Sequence, residues 1–136
     1  MFTSLDVSTS GLVAQRARLN AISSNIANMS TTRNEQGEAV PYQPRYVTFQ
    51  TDEELTTSGG GAGVKLGAVH YSTDPPEMKY EPGHPDADER GFVRYPAVNM
   101  TMEFVDALEA TRAYEANIGV IEITKNMTEQ TLRIIA

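Results

Sequence analysis

The seven prolines divide the chain into three parts. All of them lie between Pro41 and Pro96. A proline inside a helix removes a backbone hydrogen bond and clashes with the preceding turn, so this region must form strands, turns and loops. We therefore predict an α+β fold, with an N-terminal helix in residues 1–32, a small irregular β unit in 33–97 and a C-terminal helix in 98–136.

The C-terminal helix has apolar side chains on two sectors of its surface. At 100° per residue, one sector contains Ile118, Ile121, Thr128, Leu132 and Ile135, and the other contains Val120, Ile123, Met127 and Ile134. The polar remainder is confined to an arc of roughly 100°, although a surface helix needs an apolar stripe of only about that width. The segment is either an ordinary core helix or an assembly helix that completes its burial in other copies.

The N-terminal helix, predicted from Met1 to about Met29, has a single narrow apolar stripe. Its members are Leu5, Leu12, Leu19, Ile22, Ile26 and Met29. We expect Ser8–Gly11 to break or restart its first turns, and the polar run Asn28–Asn34 to end it. The helix is a generic one packed on the domain core, or one half of a coiled-coil-like pair with the C-terminal helix. In that pair, Leu12, Leu19, Ile22 and Ile26 would contact Phe104, Tyr114, Ile118 and Ile121.

Four short segments of the central region have strand character. They are Tyr46–Gln50, Val64–Tyr71, Met78–Tyr80 and Phe92–Tyr95. The glycine-rich stretch 58–63 has little apolar area to bury, so we expect a mobile loop or a hairpin tip there. A phosphate-binding loop is excluded because no Gly-Lys-Ser/Thr follows these glycines. The acidic run Asp52-Glu53-Glu54 is expected to be a solvated charge run beside this loop.

Charge and composition exclude several classes of function. The formal net charge is −7, made up of +1 in residues 1–32, −5 in 33–100 and −3 in 101–136, and no basic run is present. Nucleic acid is therefore not an expected partner. The absence of cysteine excludes disulfides and zinc thiolate sites, and the sequence contains neither a membrane-spanning run nor a cleaved signal segment. No catalytic or cofactor-binding constellation is recognisable.

A proline-rich turn precedes the last predicted strand. Pro82-Gly83 fits the central pair of a type II turn, which requires a positive φ at the glycine. His84, Asp86 and Asp88 occupy alternate positions and are candidate metal ligands. The alternative is a solvated loop with local hydrogen bonds from the aspartates.

Three segments resemble a known family. Ser10–Asn28, SGLVAQRARLNAISSNIAN, followed by Ser-Thr-Thr-Arg at 30–33, resembles the N-terminal motif of bacterial flagellar rod, hook and filament-joining proteins. Glu81–Met100, EPGHPDADERGFVRYPAVNM, and Ala110–Asn117, ATRAYEAN, are more specific and are similar to proximal rod subunits of the flagellar basal body.

The resemblance implies a structural subunit rather than an enzyme. It implies export in the unfolded state through the flagellar type III apparatus without a cleaved signal peptide, followed by assembly into the rod that crosses the periplasm. The implied partners are other copies of the chain, neighbouring rod proteins such as FlgB, FlgF and FliE, and the export apparatus. Nucleic acid, cofactors and direct membrane insertion are not expected.

Polymerisation through the terminal helices would involve both of their apolar faces. The candidate assembly residues are Leu12, Leu19, Ile22, Ile26, Phe104, Tyr114, Ile118, Ile121, Ile123, Met127, Leu132, Ile134 and Ile135. Helix ends that lack these partners are expected to be disordered in the free chain. The alternatives are another rod component of the same family, a soluble helical adaptor, or a small metal-dependent hydrolase that uses the His84 loop.

Overall fold

The computed structural model describes residues 2–135 and has the predicted α+β architecture. The elements are α1 (Phe2–Ala27), β1 (Arg45–Thr56), β2 (Ala62–Tyr71), β3 (Glu77–Tyr80), β4 (Phe92–Tyr95) and α2 (Met100–Ile135). The strands form two separate antiparallel hairpins, β1–β2 and β3–β4. The predicted helix ends at Met1 and Ala136 lie outside the described residues.

Helix α1 is continuous, so the expected break at Ser8–Gly11 is wrong. Hydroxyl groups in this stretch bond within the helix, since Thr9 Oγ1 donates to the Leu5 carbonyl at 2.8 Å and Ser10 Oγ to the Val7 carbonyl at 2.7 Å. The glycine is explained by its neighbour. A Cβ at Gly11 would lie 3.0 Å from both amide atoms of Asn117, so the glycine permits a close approach of α2.

The β1–β2 hairpin is longer than the sequence indicated. The acidic run 52–54, predicted to lie beside a loop, belongs to β1, which continues to Thr56. At the tip, the Gly61 amide donates to Thr57 Oγ1 at 2.8 Å, and Gly60 has a φ of +84°. The predicted hairpin tip is therefore confirmed, and its glycine supplies the left-handed backbone conformation that the turn requires.

The β3–β4 hairpin is short, and its inner face is anchored by Val93, which is completely buried. Its connection contains a turn at Pro82-Gly83, closed by the His84 amide donating to the Glu81 carbonyl at 3.0 Å. Gly83 does not have a positive φ, so the predicted type II turn is wrong. The positive φ of +82° occurs at Gly91 instead, where the chain enters β4.

Helix α1 is the element on which α2 and the first hairpin pack. It contacts α2 on one side and both strands of the first hairpin on another, whereas within residues 2–135 α2 packs along no element other than α1. The buried apolar side chains are few and small, namely Ala14, Ala21, Ile22, Val93 and Ala110. The larger apolar side chains of α2 therefore remain in solvent. Within the same residues, neither helix has a stretch that is long and apolar enough to cross a bilayer.

Candidate assembly interface

The two helices form an antiparallel pair with small or polar residues along the seam. Asn25 lies opposite Glu103, Arg18 opposite Asp106 and Glu109, and Gly11 opposite Asn117. The face that α2 turns toward α1 is lined by Glu103, Asp106, Ala107, Ala110, Ala113, Tyr114, Asn117, Ile121, Thr124 and Thr128. Three of these ten residues are alanines, and short side chains allow two helix backbones to approach closely.

Charge complementarity supports the pairing. Arg18 of α1 lies 3.4 Å from Asp106 and 3.5 Å from Glu109 of α2. The Arg18 side chain is half-buried and both carboxylates are more exposed, so each pair is worth at most about 1 kcal/mol. These contacts fix the register of the helices more than they stabilise the fold.

The buried link between the helices is made by Asn25, whose side chain is almost completely enclosed. Its Nδ2 donates to Glu103 Oε1 at 3.1 Å and to the Arg45 carbonyl at 3.0 Å, while its Oδ1 accepts from the Arg45 amide and from the Tyr42 hydroxyl, both at 3.0 Å. One amide therefore joins α1, α2 and the start of β1.

Glu103 is the acidic member of this link and is buried. Removal from water raises the pKa of its carboxyl group, and the nearby charge of Asp106 raises it further, whereas the hydrogen bond from Asn25 acts in the opposite direction. Its place in the first turn of α2 also suits a carboxylate, because the helix dipole is positive there.

The outer face of α2 exposes large apolar side chains at both ends of the helix. The first group, near its start, contains Met102, Phe104, Val105 and Leu108, and the second contains Val120, Ile123, Met127 and Ile134. We call the second group the outer row. Its members lie on one side of the helix at 100° per residue. Ile123 is 62 % exposed and Ile134 is 85 % exposed. A monomeric protein rarely leaves so much contiguous apolar surface in water.

The last two turns of α2 extend beyond the start of α1. Residues 129–135 are all exposed, which corresponds to roughly 10 Å of helix. Leu132 and Ile135 lie on the side of the helix that carries Ile121, so they continue the seam past the end of its partner. The apolar stripe that α1 covers farther along is open here.

The structure separates the candidate assembly residues into two groups. Ile22 is buried, and Leu12, Leu19, Ile26, Tyr114 and Ile121 are half-buried, as expected for a seam. The predicted packing of Phe104 and Ile118 against α1 is wrong, because both are exposed. The alanines of the seam make the contact with α1 that was predicted for these two larger residues. Ile123, Met127, Leu132, Ile134 and Ile135 are exposed as well.

The candidate metal ligands are engaged in other bonds. Asp86, whose side chain is only 6 % exposed, accepts hydrogen bonds from Arg33 Nε at 2.7 Å and Thr32 Oγ1 at 2.8 Å. These bonds, the one from Arg33 above all, lower the pKa of its carboxyl group. His84 Nδ1 accepts from the Asp86 amide, and Asp88 accepts from the amides of Arg90 and Phe92. Residues 2–135 contain no group of three ligands arranged to hold a metal.

Two protein-family models match the sequence, one near each end of the chain. The family model described as flagella basal body rod protein matches residues 5–33, and the model described as flagellar basal body rod FlgEFG protein C-terminal matches residues 89–134. These spans include most of α1 and all but the last residue of α2.

Full-length relatives agree with the family models. The flagellar basal-body rod protein FlgC of Borreliella burgdorferi is 37 % identical over 99 % of this chain and 97 % of its own length. FlgC of Bacillus subtilis is 39 % identical over 98 % and 97 %, and FlgC of Salmonella typhimurium is 39 % identical over 95 % and 93 %.

The helix pair and these matches define a bacterial flagellar axial protein, of the class that builds the basal-body rod. Within that class the chain belongs to the FlgC family. It is therefore a structural subunit of the rod in the flagellar basal body, which assembles with other rod components. The relatives give no support to the adaptor or hydrolase alternatives.

Proposed function

We propose that the protein enters the rod by burying the outer face and the overhanging end of α2 against neighbouring subunits. The observation that carries this proposal is the exposure of large apolar side chains along a helix that α1 covers on one face only. At about 25 cal/mol per Å² of apolar surface removed from water, covering this face is a substantial driving force for association.

In this proposal the two ends of the chain become fully ordered only on assembly. Residues 1–32 and 98–136 act as the assembly segments, and 33–97 form the β unit between them. Fixing each disordered residue costs about 1–2 kcal/mol, so the free chain leaves its ends loosely held until neighbours cover them. The role is structural and uses no catalysis or cofactor.

The neighbours in the proposal are other copies of the chain and related rod proteins, with FlgB, FlgF and FliE as the specific candidates. The type III export apparatus delivers the unfolded chain to the end of the growing rod. Helix α2 has a seam against α1 on one side and the apolar outer row on another. Such a helix suits a subunit that is surrounded by subunits of similar structure.

The test replaces one residue of the outer row by a charged residue. Ile123→Asp and Ile134→Asp should leave the monomer folded, because both side chains are exposed, but should abolish incorporation into basal bodies and motility in soft agar. Lys125→Asp, at an exposed polar position on the opposite side of the helix from the outer row and outside the overhanging end, is the matched control and should assemble normally. Normal assembly of the two isoleucine variants would contradict the proposal.

A further inference from the structure

Gly119 lies inside α2 at a position where the packing of residues 2–135 does not require a glycine. Apart from the backbone of its own helix, a Cβ there would meet no atom within 4 Å, whereas a Cβ at Gly11 would lie 3.0 Å from Asn117. Gly119 is also about 180° around the helix from Ala110, which is completely buried at the seam. A glycine is less stable in a helix than an alanine, because its backbone loses more conformational freedom on folding. It therefore weakens α2 at this point.

The composition of α2 changes at Gly119. Eight of the sixteen residues from 120 to 135 are β-branched and none is alanine, whereas residues 100–118 contain four β-branched residues and four alanines. β-Branched side chains lose rotamer freedom in a helix, and alanine is the best helix former. Thr124, Thr128 and Thr131 also donate to the carbonyls four residues earlier at 2.8 Å, as Thr111 does in the first part. Such bonds slightly weaken a helix and often bend it.

Packing against α1 is concentrated in the part of α2 before Gly119. The buried residues of the helix are Glu103 and Ala110, and none of the residues from 120 to 135 is buried. The salt bridges of Arg18 to α2 also precede Gly119. We call residues 100–118 the proximal arm and residues 120–135 the distal arm. Helix α1 therefore fixes the proximal arm and holds the distal arm more weakly.

We infer that Gly119 is a hinge at which the distal arm bends relative to the proximal arm as the subunit packs into the rod. This inference rests on the proposed function, because the distal arm carries the outer row and the overhanging end. A rigid helix of 36 residues would have to match its neighbours along its whole length. With a hinge, the distal arm aligns with neighbouring subunits while α1 keeps the proximal arm in place. The glycine lowers the stability of the monomer and favours assembly.

Bending is measured in the free chain with pairs of spin labels, since the natural sequence contains no cysteine. Arg112→Cys with Asn126→Cys spans the hinge, and Thr101→Cys with Glu115→Cys lies within the proximal arm. All four positions are exposed, and each pair is separated by roughly 21 Å along a straight helix. The pair across the hinge should give a broad distance distribution that narrows when Gly119→Ala is added. The proximal pair should give a narrow distribution in both proteins, and equally narrow distributions for the two pairs in the natural sequence would overturn the hinge.

Assembly tests the role of the hinge. Gly119→Ala should raise the midpoint of thermal unfolding of the monomer but reduce its incorporation into basal bodies and motility in soft agar. Adding Glu122→Gly, at an exposed position about one turn away, should restore incorporation, because it weakens the helix again near the same point. Thr111→Ala raises helix propensity within the proximal arm and is the matched control, which should assemble normally.

Normal incorporation of Gly119→Ala would overturn the hinge. So would a double variant with Glu122→Gly that folds but stays out of the rod, since the glycine would then act through a close contact with a neighbour. Ile123→Asp tests the proposed function separately. If that variant is excluded from the rod while Gly119→Ala enters it normally, only the hinge fails and the proposed function stands.

Discussion

Asn25 occupies the position where three elements meet, and its side chain satisfies all of them. The amide bonds both backbone groups of Arg45, accepts from the Tyr42 hydroxyl and donates to Glu103. An asparagine at this place in α1 is indistinguishable in the sequence from a residue at the polar edge of an amphipathic helix. Its acidic partner is 78 residues away, so no local pattern connects them.

Removal of this amide should destabilise the monomer. Asn25→Ala leaves the buried Glu103 carboxylate without its donor and the start of β1 without its partner, which should cost about 1–3 kcal/mol in free energy of unfolding. Urea denaturation followed by circular dichroism measures this cost. The control is Asn126→Ala at an exposed position of α2, and an equal effect of the two substitutions would contradict the assignment.

Glu103 makes stability depend on pH in a predictable direction. Because its pKa is raised in the folded state, the fold binds the proton more tightly than the unfolded chain does, and this group opposes folding as pH rises through its folded pKa. Glu103→Gln should therefore be more stable than the natural protein at about pH 8, and the difference should shrink toward about pH 4. Denaturation of both proteins across this range measures the difference in their free energies of unfolding. Asp86 is present in both proteins, so its opposite pH-dependent contribution cancels in this difference. A constant difference would show that Glu103 does not titrate as described.

At the scale of elements, the sequence predicted the types and order of all six. Apolar periodicity and the positions of the prolines were sufficient to predict these elements, because both act on the local conformation of the backbone. The length of β1 was missed because Asp52-Glu53-Glu54 has the composition of a loop, although β1 resumes its pairing with β2 at Thr56 after an irregular stretch that follows Asp52. The seam was assigned to large residues because Phe104 and Ile118 fit the helical period, whereas Ala110 and Gly11 set the approach of the helices.

Alanine substitutions at two glycines test how closely the two helices approach each other. Gly119→Ala adds a methyl group that meets no atom within 4 Å, so it should stabilise the protein by about 0.5–1 kcal/mol through helix propensity. Gly11→Ala makes the same local change but places its Cβ 3.0 Å from the Asn117 amide, so its gain should be smaller or reversed. Thermal unfolding of the two variants compares them directly. Equal stabilisation would contradict a tight seam at Gly11.

At the scale of the whole molecule, a helix of 36 residues packs along one of 26, and both hairpins lie away from its outer face. The sequence predicted that α2 has more apolar circumference than one neighbour covers, and the exposure of its outer row agrees with this. Which subunits cover that face depends on contacts between chains, and these leave no signal in the periodicity of one chain.

Hydrogen exchange of α2 in the free and the rod-assembled protein tests the central claim most directly. We predict that amides in residues 129–135 exchange rapidly in the free chain, because no element packs on them, and become strongly protected in intact basal bodies. Ser58 and Gly59, exposed at the tip of the β1–β2 hairpin, serve as the internal reference for exposed amides. Equal protection of residues 129–135 in both states would contradict the account, because the end of α2 would then gain nothing from its neighbours.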